Sequence, residues 1–145
     1  MLELYFFILG LVNAMMLILI FVIRRKRVDL LQRFGWIYLL LSIPAVFSIF
    51  LATQEYHSIQ YIIFLGIFLT YLLLELLLDH VLKLNFRENF KKNWIWMVPY
   101  LALYYAMNYG FVIMPWKSSV IWGIIMLILF VVQIIANLRS HPKKK

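Results

Sequence analysis

Residues 71–83 read YLLLELLLDHVLK, a leucine run that carries Glu75, Asp79 and His80. The leucines suit hydrocarbon, whereas two acids one helical turn apart do not. Whether this segment can cross a membrane decides the fold. Between Tyr61 and His80 lie thirteen Leu, Ile and Phe residues, each favouring insertion by roughly 0.3–0.6 kcal/mol, about 4–8 kcal/mol together. A carboxylate at the centre of a span costs roughly 2.5–3.5 kcal/mol on the same scale, and less towards an end. The segment inserts in spite of its acids.

The rest of the chain has the same character. Of 145 residues, 66% are hydrophobic and 14% charged, whereas soluble domains are nearer half apolar and a quarter charged. A soluble domain of this length has too little interior to hide so many apolar side chains. Segments long enough to cross a hydrocarbon core of about 30 Å are expected at about Leu4–Ile23, Gly35–Ala52, Ile59–Val81, Trp94–Met114 and Ser119–Leu138. The connections RRKRVDLLQRF, TQEYHS, LKLNFRENFKKN and PWKS, and the tail RSHPKKK, are too short for a soluble domain. The expected fold is all-α: a bundle of five transmembrane helices forming a single domain over residues 1–145.

Charge predicts the orientation. Arg24, Arg25, Lys26, Arg27 and Arg33 follow the first segment. Lys83, Arg87, Lys91 and Lys92 follow the third, and Arg139 with Lys143 to Lys145 follow the fifth. Every basic residue but Lys117 thus falls on alternate connections, so the positive-inside rule places the N-terminus out and the C-terminus in the cytoplasm. That pattern fits a multi-pass protein of a prokaryotic plasma membrane, although an endomembrane would show it too. The first segment lacks a basic stretch before its apolar run and is expected to be an uncleaved anchor. Trp36, Trp94, Trp96 and Trp116 lie near span ends, where amphipathic rings favour the headgroup region.

The net charge of +8 needs no nucleic-acid partner, because orientation and contact with anionic membrane lipids account for the basic connections. Val28, Leu30, Leu31 and Phe34 alternate with Asp29, Gln32 and Arg33, the pattern of a short interfacial helix. Phe86 and Phe90 among Arg87, Glu88, Lys91 and Lys92 have similar character, and both stretches are expected to lie on the inner membrane surface as anchors.

Much chemistry is excluded. There is no cysteine, hence no disulfide, thiolate metal site or cysteine nucleophile. The sequence has no glycine-rich phosphate loop, HExxH or paired-histidine zinc spacing. His57, His80 and His141 are expected at an outer connection, the inner border and the tail, too dispersed for one metal or haem site. No cofactor and no metal is expected. Length and helix count resemble the five-helix translocator protein family, whose members bind porphyrins and sterols. The tryptophan–proline loop motif of that family is missing, and no residue carries over.

The acids define the candidate site. With the third span centred near Thr70, Glu75 lies about 7 Å and Asp79 about 13 Å towards the cytoplasmic end, at 1.5 Å per residue. Asp79 is expected at the interface, paired with Lys83 at i,i+4, and His80 as an interfacial histidine. Glu75 lies at hydrocarbon depth with no base of its own helix in reach, and is expected to persist as a neutral, hydrogen-bonded acid. Tyr71, Glu75 and Asp79 recur at helical spacing, as do Tyr100, Tyr104 and Asn108 of the fourth span, with Tyr105 and Tyr109 alongside. Asn13 with Gly10 and Ala14 in the first span, and Gln133 in the fifth, are polar or small at similar depth. Pro44 and Pro99 are expected to kink the second and fourth spans.

These residues predict an aromatic-walled site of Glu75, Tyr71, Tyr100, Tyr104, Asn13, Asn108 and Gln133 in the cytoplasmic half. The leading expectation is binding or transport of a small amphipathic ligand, with Glu75 as a protonatable contact. Five spans do not divide into two inverted repeats, so transport would call for a homodimer or a different logic. One alternative is an enzyme acting on a lipid or isoprenoid substrate, with Glu75 and Asp79 as its acid–base pair. The other is a structural subunit whose polar residues hold helices together.

Overall fold

The structure, a computed structural model, describes residues 1–55, 59–84, 86, 87 and 89–141. His57, Glu88 and Lys143 to Lys145 lie outside the described residues. All regular structure among the described residues is helical. Among the described residues, five helices are long and apolar enough to cross a membrane: Leu2–Lys26, Trp36–Gln54, Ile59–Val81, Trp94–Ser118 and Val120–Ser140. Large apolar side chains stand exposed along them, from Ile121 at 69% to Leu138 at 71% in the last. Water would make such surfaces an aggregation hazard, and lipid would cover them.

The chain forms two compact units, Met1–Leu41 with Phe111–Lys145, and Ser42–Gly110. In the first, helix α1 (Leu2–Lys26) packs along α7 (Val120–Ser140). Leu2, Phe6, Leu9, Asn13 and Leu17 are buried at intervals of three and four, one stripe of α1. From α7, Gly123, Met126, Gln133 and Ser140 are buried, spaced by three and seven. Gly10 lets the helices close: a Cβ there would lie 2.8 Å from Phe111 and 3.0 Å from Met126. Phe7 stacks on Trp122 with ring centroids 4.7 Å apart. Arg24, Arg25 and Lys26 occupy the last turn of α1, where cations meet the negative end of the helix dipole.

After Arg27 (φ −150°) the chain enters the seven-residue helix α2 (Val28–Phe34), then the single turn α3 (Trp36–Leu39). Tyr38 is buried, and its hydroxyl donates to Asn13 Oδ1 at 2.7 Å. The second span breaks after α3. Pro44 offers no N–H to the Leu40 carbonyl and its ring crowds that oxygen. The N–H groups of Leu40 and Leu41 bond three residues back, to Ile37 and Tyr38, before α4 (Ser42–Gln54) begins. The helix is thus interrupted just before Pro44, where a kink is expected, whereas α6 (Trp94–Ser118) continues through Pro99.

In the second unit α4 packs on α5 (Ile59–Glu75). Ala45, Ser48 and Ala52 form a buried small-residue stripe on α4, which permits close approach without large side chains. The Ser48 hydroxyl donates to the Pro44 carbonyl and that of Thr70 to the Gly66 carbonyl, so neither needs water. Helix α5 passes directly into a π-helical segment, Leu76–Val81, whose wider turns end at Lys83 with φ 49°. The part of α6 up to Gly110 completes the unit.

Gly110 is the tightest contact on that helix. A Cβ there would lie 2.3 Å from Phe64 Cδ1 and 3.0 Å from Phe64 Cβ, too close for the ring to escape by rotation alone. Gly110→Ala is expected to lower unfolding free energy by about 1–3 kcal/mol, the usual cost of overpacking, with partial recovery on adding Phe64→Leu. Unfolding of both variants in mixed micelles, followed by circular dichroism, checks this.

Candidate functional site

The second unit holds an ionic cluster at the junction of α5 and the π-helical segment. Glu75 is the last residue of α5 and Asp79 lies in the π turn, so the four-residue spacing keeps both carboxylates on one side. A π segment within a span commonly marks a functional position. Beyond the left-handed turn at Lys83, the connection brings Arg87 back onto both acids.

The guanidinium works as a fork. Nη1 donates to Asp79 Oδ1 at 2.5 Å and Nη2 to Asp79 Oδ2 at 2.9 Å, a two-pronged ion pair. Nη2 also donates to Glu75 Oε2 at 3.1 Å and to the Tyr100 hydroxyl at 3.2 Å. The other Glu75 oxygen, Oε1, accepts from Tyr71 at 2.8 Å and Tyr100 at 2.7 Å. The two hydroxyl oxygens are themselves 2.9 Å apart. All four carboxylate oxygens are hydrogen-bonded, as largely buried carboxylates require.

Aromatic rings enclose the cluster. The guanidinium carbon of Arg87 lies 4.3 Å from the centroid of Phe86 and 4.9 Å from that of Tyr100, both within cation–π range. Phe86 meets Tyr100 edge-on at 5.1 Å, and Tyr71 lies 5.4 Å from Tyr100 and 6.1 Å from Tyr104. The side chains of Glu75, Arg87 and Asp79 retain 12%, 16% and 27% exposure, so the cluster is mostly withdrawn from solvent and opens on the Asp79 side. Burial works against the charge on Arg87. The neighbouring Tyr100, Glu75 and Asp79 outweigh it and hold the guanidinium pKa well above the ordinary arginine value.

Glu75 meets no base of its own helix and takes its cation from a residue twelve positions on, which folds back to it. Two expectations are corrected here. Asp79 pairs with Arg87, whereas Lys83 serves as the turn residue. Arg87 and Phe86 were expected on the membrane surface as anchors, and instead Phe86 is fully buried and Arg87 is the centre of the cluster. The signal available in the sequence is the mismatch itself: two acids near the end of a span, followed by a loop holding an arginine between phenylalanines. Arginine has the reach and the planar fork to serve two carboxylates, which lysine lacks.

The other predicted site residues are distributed as follows. Tyr71, Glu75 and Tyr100 are joined directly, and Tyr104 adds a buried ring. Asn108, one turn beyond, is buried and donates from Nδ2 to the Tyr104 carbonyl at 2.9 Å. Tyr105 and Tyr109 are half or more exposed. Asn13, bonded to Tyr38, and Gln133, buried on α7, belong to the first unit. His80 is half-buried in the π segment. Among the described residues no group of three His, Asp or Glu side chains is arranged to hold a metal ion. Compared with protein-family models, curated proteins and solved structures, the chain matches none.

Because its hydroxyl both donates to Glu75 and accepts from Arg87, Tyr100 is sensitive to loss of one atom. Tyr100→Phe is expected to lower unfolding free energy by about 1–3 kcal/mol, the range for hydrogen bonds to charged groups. Tyr109→Phe, at an exposed ring, is expected to change it by less than about 0.5 kcal/mol. Equal effects in a thermal or denaturant titration of the two variants would show the network to be energetically idle.

Proposed function

We propose that the protein is a multi-pass membrane protein, N-terminus out and C-terminus cytoplasmic, that binds or transports a small amphipathic, lipid-like ligand at the cluster around Glu75. The observation that carries this reading is a charge mismatch. Within the cluster, two carboxylates share one guanidinium, where helix-to-helix adhesion would need no such excess. A group bringing a proton or positive charge would complete the balance, and Glu75 is the protonatable contact that would receive it. Tyr71, Tyr100, Tyr104 and Phe86 supply apolar faces with polar tips, the lining expected for an amphipathic molecule. Alternation of basic connections supports this orientation and, with it, a cluster in the cytoplasmic half. The pattern suits a prokaryotic plasma membrane, and transport would call for a homodimer.

A second reading has its own support. Each oxygen of Glu75 and Asp79 already accepts a hydrogen bond, so the cluster can serve as a clasp that ties the α5–α6 connection to both helices. In that case the protein is a structural or accessory subunit.

Native mass spectrometry from lipid nanodiscs, wild type beside Glu75→Gln, separates the two. Retention of a defined small molecule by wild type, lost in Glu75→Gln with folding intact, is the expected result. Identical nonspecific lipid on both proteins would favour the clasp. Turnover of the retained molecule by wild type alone would point to an enzyme using Glu75 or Asp79.

A further inference from the structure

Helix α2 buries none of its seven residues, and on its apolar side Val28, Leu30 and Phe34 stand exposed with Leu31 half-buried. At about 100° per residue, Val28, Leu30, Leu31 and Phe34 fall on one side and Asp29, Gln32 and Arg33 on the other. Val28 and Phe34 are 52% and 50% exposed. A helix of two turns has little stability of its own in water, because nucleation costs more than so few hydrogen bonds return. Its helical state therefore requires an apolar phase on the side of Val28, Leu30, Leu31 and Phe34.

Charge identifies that phase. The helix follows directly on Arg24, Arg25, Lys26 and Arg27 at the end of a membrane-spanning helix, and carries Arg33 on its polar side. Arg25, Lys26, Arg27 and Arg33 are exposed, and among the described residues none of these four forms an ion pair. Arg87 contrasts with them, its guanidinium spent on internal carboxylates. Five positive charges against the single Asp29 leave a strongly cationic strip at the point where the first span leaves hydrocarbon.

We propose that residues 24–34 form a binding site for anionic phospholipid headgroups. Helix α2 lies in the membrane plane, its Val28, Leu30, Leu31 and Phe34 side in the acyl boundary and its basic residues on the lipid phosphates. The segment is thus a lipid-reading anchor between the first two spans, separate from the Glu75 cluster and independent of any ligand there. Long arginine and lysine side chains at a span end reach the headgroup layer readily. Attraction to anionic lipid grows with each basic residue near the surface and weakens with salt.

The chain contains no cysteine, so single cysteines at positions 28 to 34 can carry a spin label without background. In nanodiscs of phosphatidylcholine with phosphatidylglycerol, labels at 28, 30, 31 and 34 are expected to collide with oxygen. Labels at 29, 32 and 33 are expected to collide with a water-soluble nickel chelate. A second measurement counts lipids retained by the unlabelled protein in native mass spectrometry. Wild type is expected to prefer phosphatidylglycerol over phosphatidylcholine at least fivefold, with most of that preference lost in Arg25→Gln/Arg27→Gln/Arg33→Gln. Millimolar inorganic phosphate is expected to leave it intact, which separates a lipid site from a phosphate site. Uniform nickel accessibility along 28–34 overturns the in-plane helix. Equal retention of the two lipids by wild type, or an unchanged preference in the triple variant, overturns the headgroup site.

Discussion

A carboxylate in hydrocarbon must find a counter-charge or give up its own, and one guanidinium here answers for two carboxylates. The arrangement of the second unit follows from that constraint. Arg87 can reach Asp79 on both of its oxygens only if the connection after the third long helix folds back onto it. The left-handed turn at Lys83 starts that return, and Phe86 is buried against Tyr100 beside it. Removing the cation would leave both acids without compensation, a far larger penalty than the pair's net contribution to stability.

Tyrosine hydroxyls finish what the guanidinium leaves open. Glu75 Oε1 takes two of them, so the carboxylate nearest the middle of the span is held by neutral donors on one oxygen and a cation on the other. A cluster of this kind can hold a connection in place or present a charged, ring-lined surface to a ligand. The unmatched carboxylate favours the second use, and the hydrogen bond accepted by every carboxylate oxygen favours the first. In the first unit, Tyr38 and Asn13 are joined by a buried hydrogen bond.

Much of this was legible in the sequence. Apolar run lengths predict the five spanning helices to within a turn or so at their ends, because hydrocarbon thickness leaves little freedom in a helix that must cross it. Pro44 marks its break for a local reason, the missing N–H at a fixed distance from Leu40. At Pro99 the same missing N–H faces the Ile95 carbonyl, yet α6 continues through it. At the site, helical spacing alone grouped Tyr71 with Glu75 and Tyr100 with Tyr104. The partner of the acids was not legible, because Arg87 reaches them through the backbone path of an irregular connection, which no periodicity encodes. The same loop was therefore assigned to the membrane surface on its charge, when one of its cations belongs inside.

The measurement that tests this account most directly is a double-mutant cycle between Glu75 and Arg87. Unfolding free energies of wild type, Glu75→Gln, Arg87→Gln and the double variant would be compared in the same lipid environment. A coupling of about 1.5–3 kcal/mol, with the double variant less destabilised than the sum of the singles, is the expected result for a close, mostly buried charge pair. Additivity within about 0.5 kcal/mol would show that the two side chains do not depend on each other, and would contradict the central place given to Arg87.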